Sequence, residues 1–275
     1  MANAEVKRKL NAFGSVCNVI DVGIVVPTLG TRIDFLTECL QSIRAAGPAF
    51  VLIVAPNVFE LNNSLDRELY DLILADPARG LPAAIDFGIN SLPTSVQYVN
   101  WLGDDDLLTK DSFKRTVDAL TKDPKIALVY GGCEYIDANG SRLWRNRSGK
   151  FASPLLHFGP QLIPQPGALM RRDAYIATGG LNATYKWAFD LDLFIRLKKN
   201  GRLQFIDSTL AKFRWHEGSL SVGGRQGSVK EASQIRRSSL PKSIHLVSLL
   251  WEIPMKKVIL AAGNRLNTKL TRLET

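Results

Sequence analysis

The sequence predicts an α/β protein, a mostly parallel central sheet flanked by helices and followed by C-terminal helices. Two observations carry that expectation. β-Branched runs at 19–28 and 50–55 bracket a segment of helical periodicity, and a strand–helix–strand unit implies a parallel pair with a right-handed crossover. The same alternation then repeats through the first 145 residues, the pattern of a sheet covered by helices on both faces. With 275 residues, 45% hydrophobic and 22% charged, the chain can bury one large core or two modest ones.

Residues 19–28, VIDVGIVVPT, read as a buried strand closed by Pro27. Thr31 or Asp34 offers a cap for a helix to about Ala46, in which Ile33, Leu36, Leu40 and Ile43 recur at helical spacing before Gly47-Pro48. FVLIVA at 50–55 is the second strand. A polar connection at 56–71, with a short helix near Leu65 to Tyr70, precedes a third strand, LILAD, at 72–76. Gly80 and Pro82 open the next helix, whose Ala83, Ala84 and Gly88 permit close packing on the sheet or leave room for a ligand.

A strand at 96–102, a helix from about Lys110 to Thr121 and a buried strand at 126–132 follow, and Asn139-Gly140 marks a tight hairpin. After a loop at 146–164, Gln165-Pro166-Gly167 leads into a short strand, ALMRR, and a helix ended by Gly179-Gly180. Residues 184–197 hold Asp190 and Asp192 ahead of an amphipathic helix. LQFIDSTLAKFRWH at 203–216 reads as strand, turn, strand, ending in the polar cluster Arg214, His216, Ser219 and Ser221.

The chemistry concentrates at 96–108, VQYVNWLGDDDLL, where an apolar strand runs through Gly103 into Asp104, Asp105 and Asp106. The carboxyl end of a strand is where open α/β sheets bind ligands. Hard oxygen donors there suit Mg²⁺ or Mn²⁺ bridging a diphosphate. Asp-rich turns also occur as solvated turns and helix caps, so the turn alone decides nothing.

Charge is uneven. From residue 195 onward 16 Lys and Arg stand against 5 Asp and Glu, giving +11 of the net +9 and leaving −2 before it. A basic tail can meet nucleic acid, anionic lipid or a phosphorylated substrate. The basic residues are not interleaved with the aromatic motifs of single-strand binders, which argues against nucleic acid. Cys17, Cys39 and Cys133 lack CxxC spacing and read as reduced thiols of a cytosolic protein. The N-terminus has no secretory signal, and no apolar run reaches membrane-spanning length. Residues 244–263, broken by Glu252, Pro254, Lys256 and Lys257 and preceded by Lys242, form a basic amphipathic segment that either touches a membrane surface or packs back on a core.

Five segments in order resemble the inverting glycosyltransferases of family 2: VVPTLGTR at 25–32, RGLPAAIDFGI at 79–89, WLGDDDLL at 101–108, QPGALMRR with GGLNATYKWAFDLDLFIRL at 165–197, and RWHEGSLS at 214–221. The resemblance implies a GT-A-type, Rossmann-like fold over residues 19–222, with a nucleotide-binding half to 108 and an acceptor-binding half from 109. A short extension at 1–18 and a basic helical segment at 223–275 flank it.

It implies a nucleotide-sugar donor, a UDP-sugar foremost, a sugar or lipid-linked acceptor, and a divalent metal, Mg or Mn. Pro27, Thr28, Arg32 and Gly80 would serve the donor, with Asp104 near the ribose. Asp105 or Asp106 would reach the metal, joined by His216. Asp190 would be the base that deprotonates the acceptor hydroxyl, with Asp192 as its alternative and a helix cap as the plain structural reading of both. The expected setting is cytoplasmic, at the inner face of a membrane if the C-terminal segment binds lipid.

Three positions depart from the family. Ala55-Pro56-Asn57 stands where an acidic cluster often holds the nucleotide base, Asp86 replaces an Asn, and Phe189 replaces the acid that commonly precedes the catalytic base. Phe189 is also the best argument for the alternative, a nucleotide-sugar-binding module without catalysis.

Overall fold

A computed structural model describes residues 21–146, 149–216 and 224–241, with isolated positions 243, 250 and 254. Strand β1 (Val22–Pro27) lies between β2 (Phe50–Ala55) and β4 (Tyr98–Trp101), parallel to both, and β3 (Leu72–Ala75) extends this sheet beyond β2. The alternation along β1 explains the layers. Val22, Ile24 and Val26 face helix α1 (Ile33–Ala46) through Leu36, Leu40 and Ile43, while Val25 faces helix α3 (Leu81–Ser91) through Ala84, Ile85 and Ile89. Gly88 makes the second contact possible, since a Cβ there would stand 2.6 Å from Val25 Cγ1.

The sheet continues without a break across residue 108, in the order β3-β2-β1-β4-β8-β6-β9-β5 with β7 beside β6. Its second half carries the antiparallel pairings. Strand β8 (Leu169–Arg171) runs against β4 and β6 (Ile126–Ile136), β7 (Arg142–Arg145) forms the expected hairpin with β6, and two-residue β5 (Leu107–Leu108) pairs with β9 (Arg202–Arg214). Strands β6 and β9 are parallel, so the carboxyl ends of β1, β4 and β9 share one edge.

Several expectations need correction. Residues 203–216 are one strand, not two: between Tyr130↔Phe205 and Gly132↔Thr209, β9 advances four residues while β6 advances two. The surplus is taken up as a bulge, packed on Gly131, whose Cβ would collide with the Ser208 carbonyl. Neither Thr31 nor Asp34 caps α1; Arg32 is its N-cap residue and makes no side-chain cap. In the connection at 56–71 the short helix expected near Leu65 to Tyr70 is a 3₁₀ turn at Arg67–Leu69, and an unexpected helix α2 (Val58–Ser64) precedes it.

The remaining helices are α4 (Ser112–Lys122), α5 (Arg172–Ala177), α6 (Phe189–Asn200) and α7 (Arg225–Ser239). Cys39 and Cys133 are free and buried. Residues 1–20 with Cys17, the motif residues Ser219 and Ser221, and nearly all of the amphipathic segment at 244–263 lie outside the described residues. Among the described residues no helix is long and apolar enough to cross a membrane.

Candidate active site

The acidic turn leaves β4 beside the end of β1, where Leu102 N–H bonds to the Val25 carbonyl at 2.9 Å. There Thr28 Oγ1 donates to Asp104 Oδ2 at 2.5 Å, and Arg32 Nη2 reaches Asp104 Oδ1 at 2.9 Å. Both oxygens of Asp104 are therefore engaged within the protein. The turn is not an exposed loop, as its composition suggested: Asp104 is 8% and Asp106 5% exposed. Its carboxylates can be buried because donors from two distant segments, 28–32 and 214–216, meet them.

Arg214 supplies much of that support. Its backbone N–H donates to Asp106 Oδ1 at 3.0 Å and its Nε to the Asp105 carbonyl at 3.0 Å. Its other nitrogens reach the Ala138 carbonyl at 2.7 Å and Glu38 Oε2 at 2.5 Å, over the Phe35 ring. One guanidinium thus ties the turn to β9, the β6–β7 hairpin and α1. Burial, and then the charge of Asp105, push the Asp106 carboxyl well up from the usual range against the pull of the Arg214 N–H. Burial also raises Asp104, offset by the Thr28 hydrogen bond.

Asp105 has different company. His216 Nε2 lies 2.7 Å from Asp105 Oδ2 and 2.8 Å from Arg32 Nη1, and Arg32 Nη1 is 3.5 Å from the same Oδ2. A single ring nitrogen cannot donate to the carboxylate and accept from the guanidinium at once. In the tautomer with Nε2 unprotonated, Asp105 Oδ2 and His216 Nε2 offer an oxygen and a nitrogen lone pair side by side, with Arg32 Nη1 against both. That set fits a divalent ion which takes its other ligands from phosphate and water. Asp106 has one oxygen, Oδ1, taken by the Arg214 N–H of β9. Among the described residues no group of three or more His, Cys, Asp or Glu is arranged to hold a metal by itself.

Asp190 stands in the first turn of α6, partly buried. Its Oδ1 accepts from Leu191 N–H at 2.7 Å and its Oδ2 from Gln161 Nε2 at 3.3 Å. Desolvation outweighs both bonds and raises its carboxyl above the ordinary value. Asp192 is paired instead, its Oδ2 held by Arg196 Nη2 at 2.6 Å and Nε at 2.9 Å, while Arg196 also donates to the Thr178 and Gly180 carbonyls.

No protein-family model matches the chain. Among its relatives are uncharacterized glycosyltransferases of Rickettsia conorii, 26% identical over 217 residues, and Rickettsia felis, 25% identical over 218. Each match covers 73% of this chain, which spans 35% of the length of those relatives. Among solved structures, the Pyrobaculum calidifontis mannosyltransferase PcManGT, in complex with GDP-Man and Mn²⁺, superposes with a TM-score of 0.61 at 14% identity, over 98% of this chain and 87% of that one. Staphylococcus aureus TarS 1-349 in complex with UDP-GlcNAc gives 0.61 at 13%, over 82% and 69%. The chain has the GT-A fold.

On that fold the motif residues fall at one sheet edge. Pro27 closes β1 directly before Thr28, and Gly80, at φ +90°, heads α3 beyond β3. A Cβ at Gly80 would meet nothing within 4 Å. The departures find physical roles. Phe189 is 6% exposed and packs on Trp101, the last residue of β4, with ring centroids 6.0 Å apart. Asp86 accepts the Tyr175 hydroxyl at 2.6 Å, joining α3 to α5. Ala55 is buried at the end of β2, followed by exposed Pro56 and Asn57.

Sequence reasoning missed Gln161, which lies in a loop without a signature. It named Arg214 only within a polar cluster, although a fully buried arginine would be visible as Arg at the end of an apolar strand.

Proposed function

We propose that this chain is a metal-dependent glycosyltransferase that moves a sugar, with inversion, from a nucleotide-diphosphate-sugar to an acceptor hydroxyl. The observation that carries this reading is the packing of Phe189 on Trp101. It joins the helix bearing Asp190 to the strand that delivers Asp104, Asp105 and Asp106. Two carboxylate sites of different character are thereby linked, one met by cations and one by neutral donors.

In this reading Asp190 takes the proton of the acceptor hydroxyl as that oxygen attacks the anomeric carbon opposite the leaving group. Its raised proton affinity suits the task, because a stronger base gains more from the transfer. Arg32 lies where its guanidinium can offset charge on the departing diphosphate, and Thr28 keeps Asp104 oriented. Asp105 and His216 would hold the divalent ion, which supplies further charge neutralisation for the leaving group. The GDP-Man and UDP-GlcNAc of the solved neighbours support a nucleotide-sugar donor, with UDP-sugars the first to try. The acceptor would be a sugar or lipid-linked glycan at the cytoplasmic face of a membrane, in polysaccharide or cell-surface glycan synthesis.

A screen of UDP- and GDP-sugars with Mn²⁺, run beside Asp190→Asn, tests this. Donor turnover that vanishes in the variant is the expected result. Donor binding without any turnover by the unaltered chain would favour the binding module instead.

A further inference from the structure

Helix α7 lies beyond the five motif segments, yet its contacts lead directly to Asp190. The N-cap residue of α6 is Ala188, whose side chain cannot cap, so the backbone donors approaching the helix need partners from elsewhere. Glu231 provides them. Its Oε1 accepts from Lys186 N–H at 2.9 Å, and its Oε2 from Trp187 N–H at 2.8 Å and Ala188 N–H at 3.0 Å. Three charge-assisted bonds to successive residues fix the backbone that ends two residues before Asp190.

Glu231 reaches that segment only because α7 is docked on it. Gly224, Gly227 and Glu231 follow helical spacing along one face. A Cβ at Gly224 would collide with Trp187 Nε1, and one at Gly227 would stand 2.5 Å from Trp187 Cζ3. The helix backbone thus lies against the indole, which Lys186 Nζ covers at 5.0 Å from the ring centroid. Behind this contact Ala232 and Ile235 are buried in the same apolar cluster as Leu191, Phe194 and Ile195 of α6. Phe189 is an apolar anchor on Trp101, and a carboxylate from another helix joins the helix's own Asp190 and Asp192 at its amino end.

We propose that Glu231 is the positioning residue for Asp190, an inference that rests on reading Asp190 as the base. It orients the first turn of α6 against the sheet edge, while Phe189 sets the depth at which that turn sits. Glu231 touches neither donor nor acceptor in this scheme and acts wholly through the backbone of Lys186, Trp187 and Ala188.

The full chain and its Glu231→Ala and Glu231→Gln variants would be compared in three measurements: amide hydrogen exchange, donor affinity by calorimetry with UDP and Mn²⁺, and turnover of the nucleotide sugar identified for the unaltered chain. In Glu231→Ala we expect protection to be lost at 186–188 and kcat to fall about 10- to 100-fold, with UDP affinity changed less than about 2-fold, because a small misplacement of a reacting group costs that much. Gln can place one oxygen where Oε2 stands, so its kcat should lie between the other two. If Glu231→Ala does not fold, the Gln variant decides alone on the same readouts. Lost protection with unchanged kcat would overturn the positioning role, as would equal losses in kcat and UDP affinity. If no donor is turned over by the unaltered chain, the glycosyltransferase reading fails instead. The clamp is then judged by exchange, and unaltered protection at 186–188 in Glu231→Ala would refute it.

Discussion

The two carboxylate sites are built in opposite ways. Around Asp104, Asp105 and Asp106 the protein gathers a hydroxyl, two guanidinium groups, an imidazole and a backbone N–H from segments as far apart as Thr28 and His216. Asp190 receives one neighbouring N–H and one amide at 3.3 Å. Burial raises the carboxyls of Asp104, Asp106 and Asp190 alike, so the two sites differ in their partners rather than in the direction of that shift: cations and a hydroxyl meet the turn, while neutral donors meet Asp190. In the proposed reading the turn holds charge and Asp190 takes the proton.

The sharpest way to break that contrast is Asp190→Asn, for which we expect transfer to fall about 10²- to 10⁴-fold, the range of a general base. Donor affinity should barely move, because the base acts on the acceptor. If Asp192→Asn is the inactive variant instead, the assignment is wrong. The pH profile tests the same point without mutation. A carboxyl raised by burial must lose its proton to act, so activity should drop as pH falls through a value above that of an ordinary aspartate. An acidic limb at or below the ordinary value would show that Asp190 is not under-solvated in solution.

Asp105→Ala should come next, with transfer reduced about 10²-fold and the remainder no longer responsive to added Mn²⁺, as expected when a site loses a charge-neutralising ion. Full activity of the unaltered chain in excess EDTA would remove the metal from the scheme altogether.

Asp106→Ala separates holding from chemistry. Its composition alone would suggest a harmless change in an exposed turn, but its burial predicts a loss of about 1–3 kcal/mol in urea unfolding, because the Arg214 N–H is left without an acceptor. Asp106→Asn keeps an acceptor and sheds the buried charge, so it should cost less. The smallest effect on transfer belongs to Asp192→Ala. It breaks a partly buried pair with Arg196, costing about 1 kcal/mol of stability, while kcat stays near that of the parent.

Much of the scaffold was legible. The β-branched runs of β1 and β2, the helical spacing of Leu36, Leu40 and Ile43, and Asn139-Gly140 each state a local preference that burial then rewards. The placement of Asp104, Asp105 and Asp106 at a strand's carboxyl end was legible for the same reason, since strand and turn are adjacent in the chain. The bulge in β9 was not, because a run such as IDST reads as a turn unless a long partner strand holds it open. The fate of Asp86 and Phe189 was hidden too, since each is explained by a ring or hydroxyl from a distant element.

By itself the sequence determined most of the elements, their order, and which carboxylates stand at element ends, because hydrophobic period and turn chemistry act over a few residues. Only the tertiary structure decided that the acidic turn is buried, that Asp105 and not Asp106 meets His216, that Asp192 is spent on Arg196, and that Glu231 grips the approach to Asp190. The reason is physical. The cost of burying a charge is settled by the partners that surround it, and here Arg32, Arg214 and His216, like Glu231 as acceptor for the 186–188 backbone, come from elements whose neighbours only the packed sheet and helices choose.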